Sequence, residues 1–295
     1  MTVLELIEAG AARLDAAGVS YGHGTTNAFD ESAWLVLWAL GLPLDALEAR
    51  AQTDVAPADL AMAEALVTRR IETRQPAAYL TREAWLQNVS FYVDERVIVP
   101  RSFIAELLAD GEQTGTLDAW LSDTTRSVLD LCTGNGSLAV IAALAYPEVV
   151  VDAADISDDA LAVAKINVDK YKLSHRITLM NSDLLASVPG PYDLIVCNPP
   201  YVNTRSMHAL PAEYRAEPSL ALAGGDDGMN LVRSIVRDVH KHLSAQGVLV
   251  LEIGNERRHF EQAFPRLEAA WLETSAGADQ VLLLTRDALE RGSAQ

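Results

Sequence analysis

Apolar residues recur at three- and four-residue spacing through the first 80 positions, and the period then changes. "VLELIEAGAARLDAAGV" (3–19), "DESAWLVLWALGL" (30–42) and "PADLAMAEALVTRRIETR" (57–74) each carry the stripe of an amphipathic helix. Asp30 is the expected N-cap of the second, which ends near Pro43, and Pro57 stands in the first turn of the third. Arg69, Arg70 and Arg74 read as one solvated face of that third helix. Residues 81–100, "TREAWLQNVSFYVDERVIVP", alternate β-branched and aromatic with polar residues around Gln87-Asn88, which predicts a hairpin.

From Arg101 onward strand and helix patterns alternate. "SVLDLC", "VVVDAADI", "RITLMN", "YDLIVC" and "GVLVLEIG" read as five strands. "SLAVIAALAY", "DDALAVAKINVDKY" and "GMNLVRSIVRDVHKHL" read as helices between them. "AAWLETSA" and "QVLLLTR" close the chain as an antiparallel hairpin. The pattern predicts an α/β protein: a mainly parallel, Rossmann-like sheet covered on both faces, preceded by a helical N-terminal domain and a β-hairpin linker. The expected division is a helical domain over 1–80, the linker over 81–100 and an α/β domain over 101–295. No internal repeat occurs.

Composition narrows the function classes. Of 295 residues 49% are hydrophobic, enough for a substantial core. The N-terminus "MTVLELIEAG" is acidic and has no basic segment before an apolar run, and the uncharged stretch 131–147 is interrupted by Gly, Asn and Pro. A cytoplasmic protein that does not enter a membrane is expected. Two cysteines, Cys132 and Cys197, and six scattered histidines offer no metal spacing. The net charge is −18, with 7 Lys/Arg against 14 Asp/Glu in residues 1–100. This disfavours general DNA or RNA binding, which draws its affinity from phosphate contacts, and favours a basic protein partner.

Three motifs carry chemistry. "LDLCTGNGSLAV" is strand, glycine turn and helix, in which Gly134 and Gly136 permit a sharp turn and close approach to a ligand. It is neither GxGxxG nor a phosphate-cradling loop, which leaves a smaller nucleoside ligand. The next strand ends at Asp155, 19 residues after Gly136. Asp155 is placed to accept both ribose hydroxyls of a nucleoside, or else to cap the following helix. Asp183, after the third strand, is placed to accept from an adenine amine, or else is a surface turn residue. Together these groups describe a pocket for S-adenosyl-L-methionine, ahead of a dinucleotide.

The third motif is "CNPPYVNT" (197–204), where a buried strand breaks into Asn198-Pro199-Pro200-Tyr201. An amide nitrogen is a poor nucleophile because its lone pair is delocalised into the carbonyl. The Asn198 side-chain oxygen and the Pro199 carbonyl are two acceptors able to orient its two N–H groups. Tyr201 can pack on the flat amide or near the sulfonium. Positioning would then be most of the catalysis.

"LDLCTGNG", "ADIS", "CNPPYV", "EYRAEPSLALAGGDDG" and "LEIG" resemble the protein-glutamine N-methyltransferases of the HemK-like family, over nearly the whole chain. The resemblance implies a class I S-adenosylmethionine-dependent methyltransferase domain and methylation of a glutamine side-chain amide nitrogen. Of two branches, one modifies peptide-chain release factors and the other the large-subunit ribosomal protein L-3. "YGHGT", "AYLTREAW" and "FYVDERVIVPRS" are similar to the ribosomal-protein branch, whereas the release-factor branch reads "IPRPETE" where this chain has "VPRSFIAE". The generic loop carries glycine where this chain has Cys132, and the ribosomal-protein branch resembles this chain there. Carried over, the resemblance implies that Thr133, Gly134, Asn135, Gly136, Asp155, Asp183 and Asn198 border the cofactor. It implies that Asn198, Pro199, Pro200 and Tyr201 bind the glutamine, with Asn198, Pro199 and Tyr201 catalytic. Glu217 and Pro218 match the family without an assigned role, and His23 reads as a turn or core residue. The competing readings are the release-factor branch, an adenine-N6 nucleic-acid methyltransferase, which shares the Asn-Pro-Pro-Tyr loop, and a non-enzymatic adaptor.

Overall fold

Local signals start the N-terminal helices. In α1 (Val3–Ala16) Glu5 N donates to Thr2 Oγ1 at 3.3 Å and Thr2 N to the Glu5 carboxylate at 2.9 Å, a reciprocal cap. α2 (Ala28–Ala39) begins earlier than the apolar pattern indicated. Asn27, not Asp30, is its N-cap, accepting from Asp30 N at 2.9 Å, and Asp30 lies in the first turn at the positive end of the helix dipole. α3 (Leu47–Arg50), α4 (Pro57–Thr73) and α5 (Ala77–Thr81) follow. β1 (Ala84–Leu86) and β2 (Val89–Phe91) form the hairpin. Gln87 and Asn88 take φ of 49° and 59°, the pair of left-handed residues that a two-residue turn between twisted strands requires. This computed structural model describes residues 1–109, 117 and 119–293.

The remaining chain alternates as expected, with short additions. In order it runs α6 (Ile104–Ala109), β3 (Ser127–Leu131), α7 (Ser137–Ala145), β4 (Val150–Asp155), α8 (Asp158–Lys170), β5 (Ile177–Asn181) and β6 (Tyr192–Cys197). It continues with β7 (Val202–Asn203), α9 (Thr204–Ala209), β8 (Ala223–Gly225), α10 (Asn230–Asp238), β9 (Leu243–Glu252), α11 (Arg257–Ala263), β10 (Ala270–Thr274), β11 (Gly277–Thr285) and α12 (Arg286–Ser293). The helix expected over 228–243 stops at Asp238 and tightens into a 3₁₀ turn. Buried Leu243 is drawn off to pair with Tyr192, so β9 starts before Gly247.

The seven-stranded sheet has the order β10-β11-β9-β6-β3-β4-β5 and is parallel except for β11, which runs antiparallel to both its neighbours, β10 and β9. Its two faces are separate cores. Val128, Val151, Leu194, Val196 and Val250 point to one, and Leu129, Leu131, Ile195, Leu249 and Leu251 to the other. Leu14, Leu35 and Val67 of the N-terminal helices share a third core with Val93, Val97 and Val99 of the linker and with Ala160 and Val163 of α8. Among the described residues no single helix is long and apolar enough to cross a membrane.

Sheet register decides where chemistry collects. Leu131 lies beside both Ala154 and Cys197, and Cys197 beside Leu251. The residues that follow each strand therefore share the carboxyl edge, at the point where strand order reverses between β3 and β6, the usual place for a ligand in such a sheet.

Candidate active site

The loop after β3 divides its glycines between two tasks. Cys132 takes φ of +62°, the conformation that glycine adopts freely, so the loop keeps a glycine-like path without a glycine there. Gly134 has φ of +56° and nothing within 4 Å of where a Cβ would stand. Gly136, at φ +78°, would place a Cβ 3.1 Å from that of Ala164. Gly134 thus faces open space, while the missing Cβ of Gly136 lets α7 pack on α8. The Thr133 hydroxyl turns inward to Asp130 Oδ2 (2.5 Å), which also accepts from Ala139 N (2.9 Å). Burial pushes the Asp130 carboxyl up to about 7 against the pull of these two bonds. Asn135 is buried as well: its Oδ1 accepts from Ser137 N and its backbone carbonyl from Asn167. Thr133, Asn135 and Gly136 shape the loop from beneath.

Asp155 is not the helix cap. Ser157 caps α8 by accepting from Ala160 N, while Asp155 Oδ2 accepts from Gly134 N and Oδ1 from Ser157 N, both at 2.9 Å. A carboxylate has about four lone-pair sites, and two remain for a ligand's hydroxyls. Burial raises the Asp155 pKa against these backbone donors.

Gly134, Asp155, Asp183, Asn198 and Pro200 line one cleft. Asn198 makes no side-chain hydrogen bond among the described residues, so its oxygen and both N–H groups are available at the cleft. Pro199 is buried and Tyr201 half-buried behind it. The Tyr201 hydroxyl donates to Glu252 Oε1 at 3.1 Å. Ile156 and Leu220, 51% and 61% exposed, also line the cleft, so a ligand with an apolar face would cover them.

One wall was not foreseen. It consists of Arg96, Val97 and Ile98 of the linker together with Pro218, Leu220 and Ala221. Glu217 joins these two segments: its carboxylate accepts from Val99 N (2.8 Å) and from Arg101 Nη1 and Nη2 (2.6 and 2.8 Å). Burial alone would raise its pKa. The adjacent His23 and the bidentate Arg101 outweigh burial and hold the carboxyl at about 2. His23 is buried against the Tyr214 ring, with Nε2 3.4 Å from Glu217 Oε2, inside ion-pair reach but out of line for a hydrogen bond.

Arg69 is exposed as expected, but Arg70 and Arg74 correct the expectation of a solvated face. Arg70 is fully buried, bonded to Glu31 Oε1 (2.6 Å), Glu213 Oε1 (3.4 Å) and the Ser20 carbonyl (3.0 Å). Arg74 reaches Glu213 and the carbonyls of Ala17 and Gly18. Glu213 and Glu217, four residues apart, therefore clamp one segment to the N-terminal helices and to the stretch around Val99 and Arg101. Only the motif "EYRAEPS", which carries both carboxylates, hints at this.

Comparison with known proteins bears on the fold and the family. Residues 114–213 match the methyltransferase small domain. The catalytic domain of hMettl16, solved with the MAT2A 3′UTR hairpin 6, shares the fold: TM-score 0.52 and 14% identity over 78% of this chain and 81% of that one. The ribosomal protein uL3 glutamine methyltransferase of Bordetella pertussis is 53% identical over 98% of this chain and 96% of its own length. That of Neisseria meningitidis is 47% identical over 98% and 94%, and that of Bradyrhizobium diazoefficiens 44% identical over 95% and 89%. This chain belongs to the family of ribosomal protein uL3 glutamine methyltransferases.

Proposed function

We propose that this protein methylates the side-chain amide nitrogen of a glutamine in ribosomal protein L-3, using S-adenosyl-L-methionine. The observation that carries the reading is the unpartnered Asn198 carboxamide in the same cleft as the open Gly134 backbone and the half-satisfied Asp155 carboxylate. Gly134 and Asp155 would hold the nucleoside, Asp155 at the ribose and Asp183 and Ile156 at the adenine end. Bound there, S-adenosylmethionine would supply a methyl electrophile, its sulfur keeping the S–C bonding electrons as a neutral thioether. Asn198 Oδ1 and the Pro199 carbonyl would accept the two N–H groups of the glutamine amide and turn its nitrogen toward the methyl. The methylated nitrogen is acidic enough to release its proton without a dedicated base. Thr133, Asn135 and Gly136 support the loop, and Tyr201 closes the side of the substrate amide. The net charge of −18 suits a basic partner.

The test is incubation with methyl-labelled cofactor and, separately, L-3, a release factor and duplex DNA, followed by peptide mapping. Label on a single L-3 glutamine is expected. Label on the release factor or on DNA in its place refutes the assignment. Asn198→Ala should lower the rate by about 10²-fold or more while cofactor affinity stays within about twofold, because one positioning acceptor is lost. Asp155→Ala should instead weaken cofactor binding by about 1.5–3 kcal/mol, the worth of hydrogen bonds to a charged group.

A further inference from the structure

Tyr201 is held from every side by parts of the chain distant in sequence. Its hydroxyl donates to Glu252 Oε1 at 3.1 Å. Glu252, the last residue of β9, is 1% exposed, and its Oε2 accepts from Ser102 Oγ (2.6 Å) and Phe103 N (2.9 Å). A Cβ on Gly254, at φ +54°, would lie 2.5 Å from Tyr201 Cε2, so the ring occupies space that only glycine leaves. Behind the main chain, a Cβ on Gly228 would lie 2.3 Å from the Tyr201 carbonyl oxygen, and one on Gly224 2.7 Å from its Cα. Glu252 and Gly254 belong to the motif "LEIG", which the methyl-transfer chemistry itself does not use.

We propose that Glu252 is a positioning residue: by anchoring the Tyr201 hydroxyl it fixes the ring, and through the ring the Asn198 carboxamide. This rests on the glutamine-methylation reading of the site. The mechanical link is the pair Pro199-Pro200, whose φ angles are locked by their rings. Two of the torsions between Tyr201 and Asn198 are therefore fixed, which leaves fewer to absorb a displacement of the ring before it reaches Asn198. Ser102, Phe103 and Tyr201 all donate to Glu252, as a carboxylate requires, and burial raises its pKa against these bonds. Burial, followed by the Glu252 charge, pushes the Tyr201 phenol well up, so it stays protonated and keeps donating. A buried carboxylate is costly compared with an apolar residue of the same size, so it stabilises the fold poorly and orients its partners well. Ser102 and Phe103 follow directly on the linker that walls the cleft, so the same carboxylate sets the linker against the catalytic loop.

The test is a double-mutant cycle in the full-length protein with Tyr201→Phe, Glu252→Gln and the pair. It reads kcat and KM for L-3, cofactor affinity by calorimetry, and L-3 binding in the presence of S-adenosylhomocysteine. Each single variant is expected to lower kcat about 10-fold, with both affinities within about twofold, because only transition-state positioning is lost. The pair is expected to be no slower than the slower single variant, since one interaction has been removed twice. Losses that multiply to about 100-fold, or a Tyr201→Phe enzyme as fast as wild type, overturn the proposal. Where Glu252→Gln fails to fold, Ser102→Ala replaces it: a drop of about threefold in kcat that vanishes in the Tyr201→Phe background supports the anchor, and a multiplicative drop refutes it. A wild-type enzyme that transfers no methyl to glutamine sinks the activity reading and this inference with it. An active wild type with uncoupled variants sinks this inference alone.

Discussion

Replacing Glu217 by Gln isolates the contact that joins the linker to the cleft wall. The side chain keeps its shape and loses its charge, leaving the Arg101 guanidinium facing a neutral amide. The carboxyl sits at about 2 in the folded protein against an ordinary 4.5. That shift, at about 1.36 kcal/mol per unit, corresponds to about 3 kcal/mol of stability at pH 7. Breaking a buried ion pair by removing one partner costs about 3–5 kcal/mol, which agrees. For a chain of this size about 2 °C of melting temperature is lost per kcal/mol, so Glu217→Gln should melt about 6 °C lower. The sign of the pH dependence follows from the lowered pKa. The contribution is fully present above pH 4.5 and is lost as the pH falls toward 2 and the wild-type carboxyl takes up its proton. At pH 3 only about 1.4 kcal/mol of it remains. Scanning calorimetry of both proteins from pH 7 to 3 should show a constant gap that narrows below pH 4.5. A gap unchanged at pH 3, or no gap at pH 7, refutes the assignment of the stabilisation to the Glu217 charge. Pro218, Leu220 and Ala221 follow directly and line the cleft, so the variant should also bind S-adenosylmethionine more weakly at pH 7.

Three further outcomes are expected. Gly136→Ala should lose about 2 kcal/mol or more of stability, from left-handed strain and contact with Ala164, with cofactor affinity retained in the folded fraction. Gly134→Ala meets open space, so it should lose about 1 kcal/mol from strain alone and lose cofactor affinity; melts and calorimetric titrations giving the reverse pattern contradict the division of tasks. The kcat/KM for whole L-3 should fall steeply with salt as the Debye length shrinks from about 30 Å at 0.01 M to about 8 Å at 0.15 M, while a glutamine peptide of low charge should give a flat profile. Equal slopes for protein and peptide would reduce the acidity of this chain to a solubility feature.

Much of the fold was legible because the deciding signals are local. A strand buried on both faces must be an apolar run, as in "YDLIVC" and "GVLVLEIG", and a helix over a sheet must repeat near 3.6, as in "DDALAVAKINVDKY". Gln87-Asn88 announced the hairpin because few residue pairs accept two left-handed conformations in succession. The errors were local too. The apolar pattern points to Asp30 where Asn27 is the N-cap, and it continues the helix past Asp238 because no helical period registers that Leu243 pairs with Tyr192. The small parallel pair β7–β8 escaped notice because Val202 and Ala223 are ordinary residues until a loop brings them together.

The amino-acid sequence by itself determined the order of strands and helices, the glycine turn and the Asn-Pro-Pro-Tyr array, since each depends on conformational limits within a few residues. Tertiary structure decided which groups act in concert. Arg70 looked like a solvated cation and is buried against Glu213, 143 positions away; Arg101 finds Glu217 116 positions on, and Ser102 finds Glu252 at a distance of 150. No periodicity records such pairs, because a charged side chain on a helix has the same local pattern whether water or a distant carboxylate faces it. Likewise Gly134 and Gly136 share a loop and a left-handed backbone, and only the packing of Ala164 against one of them assigns their different tasks.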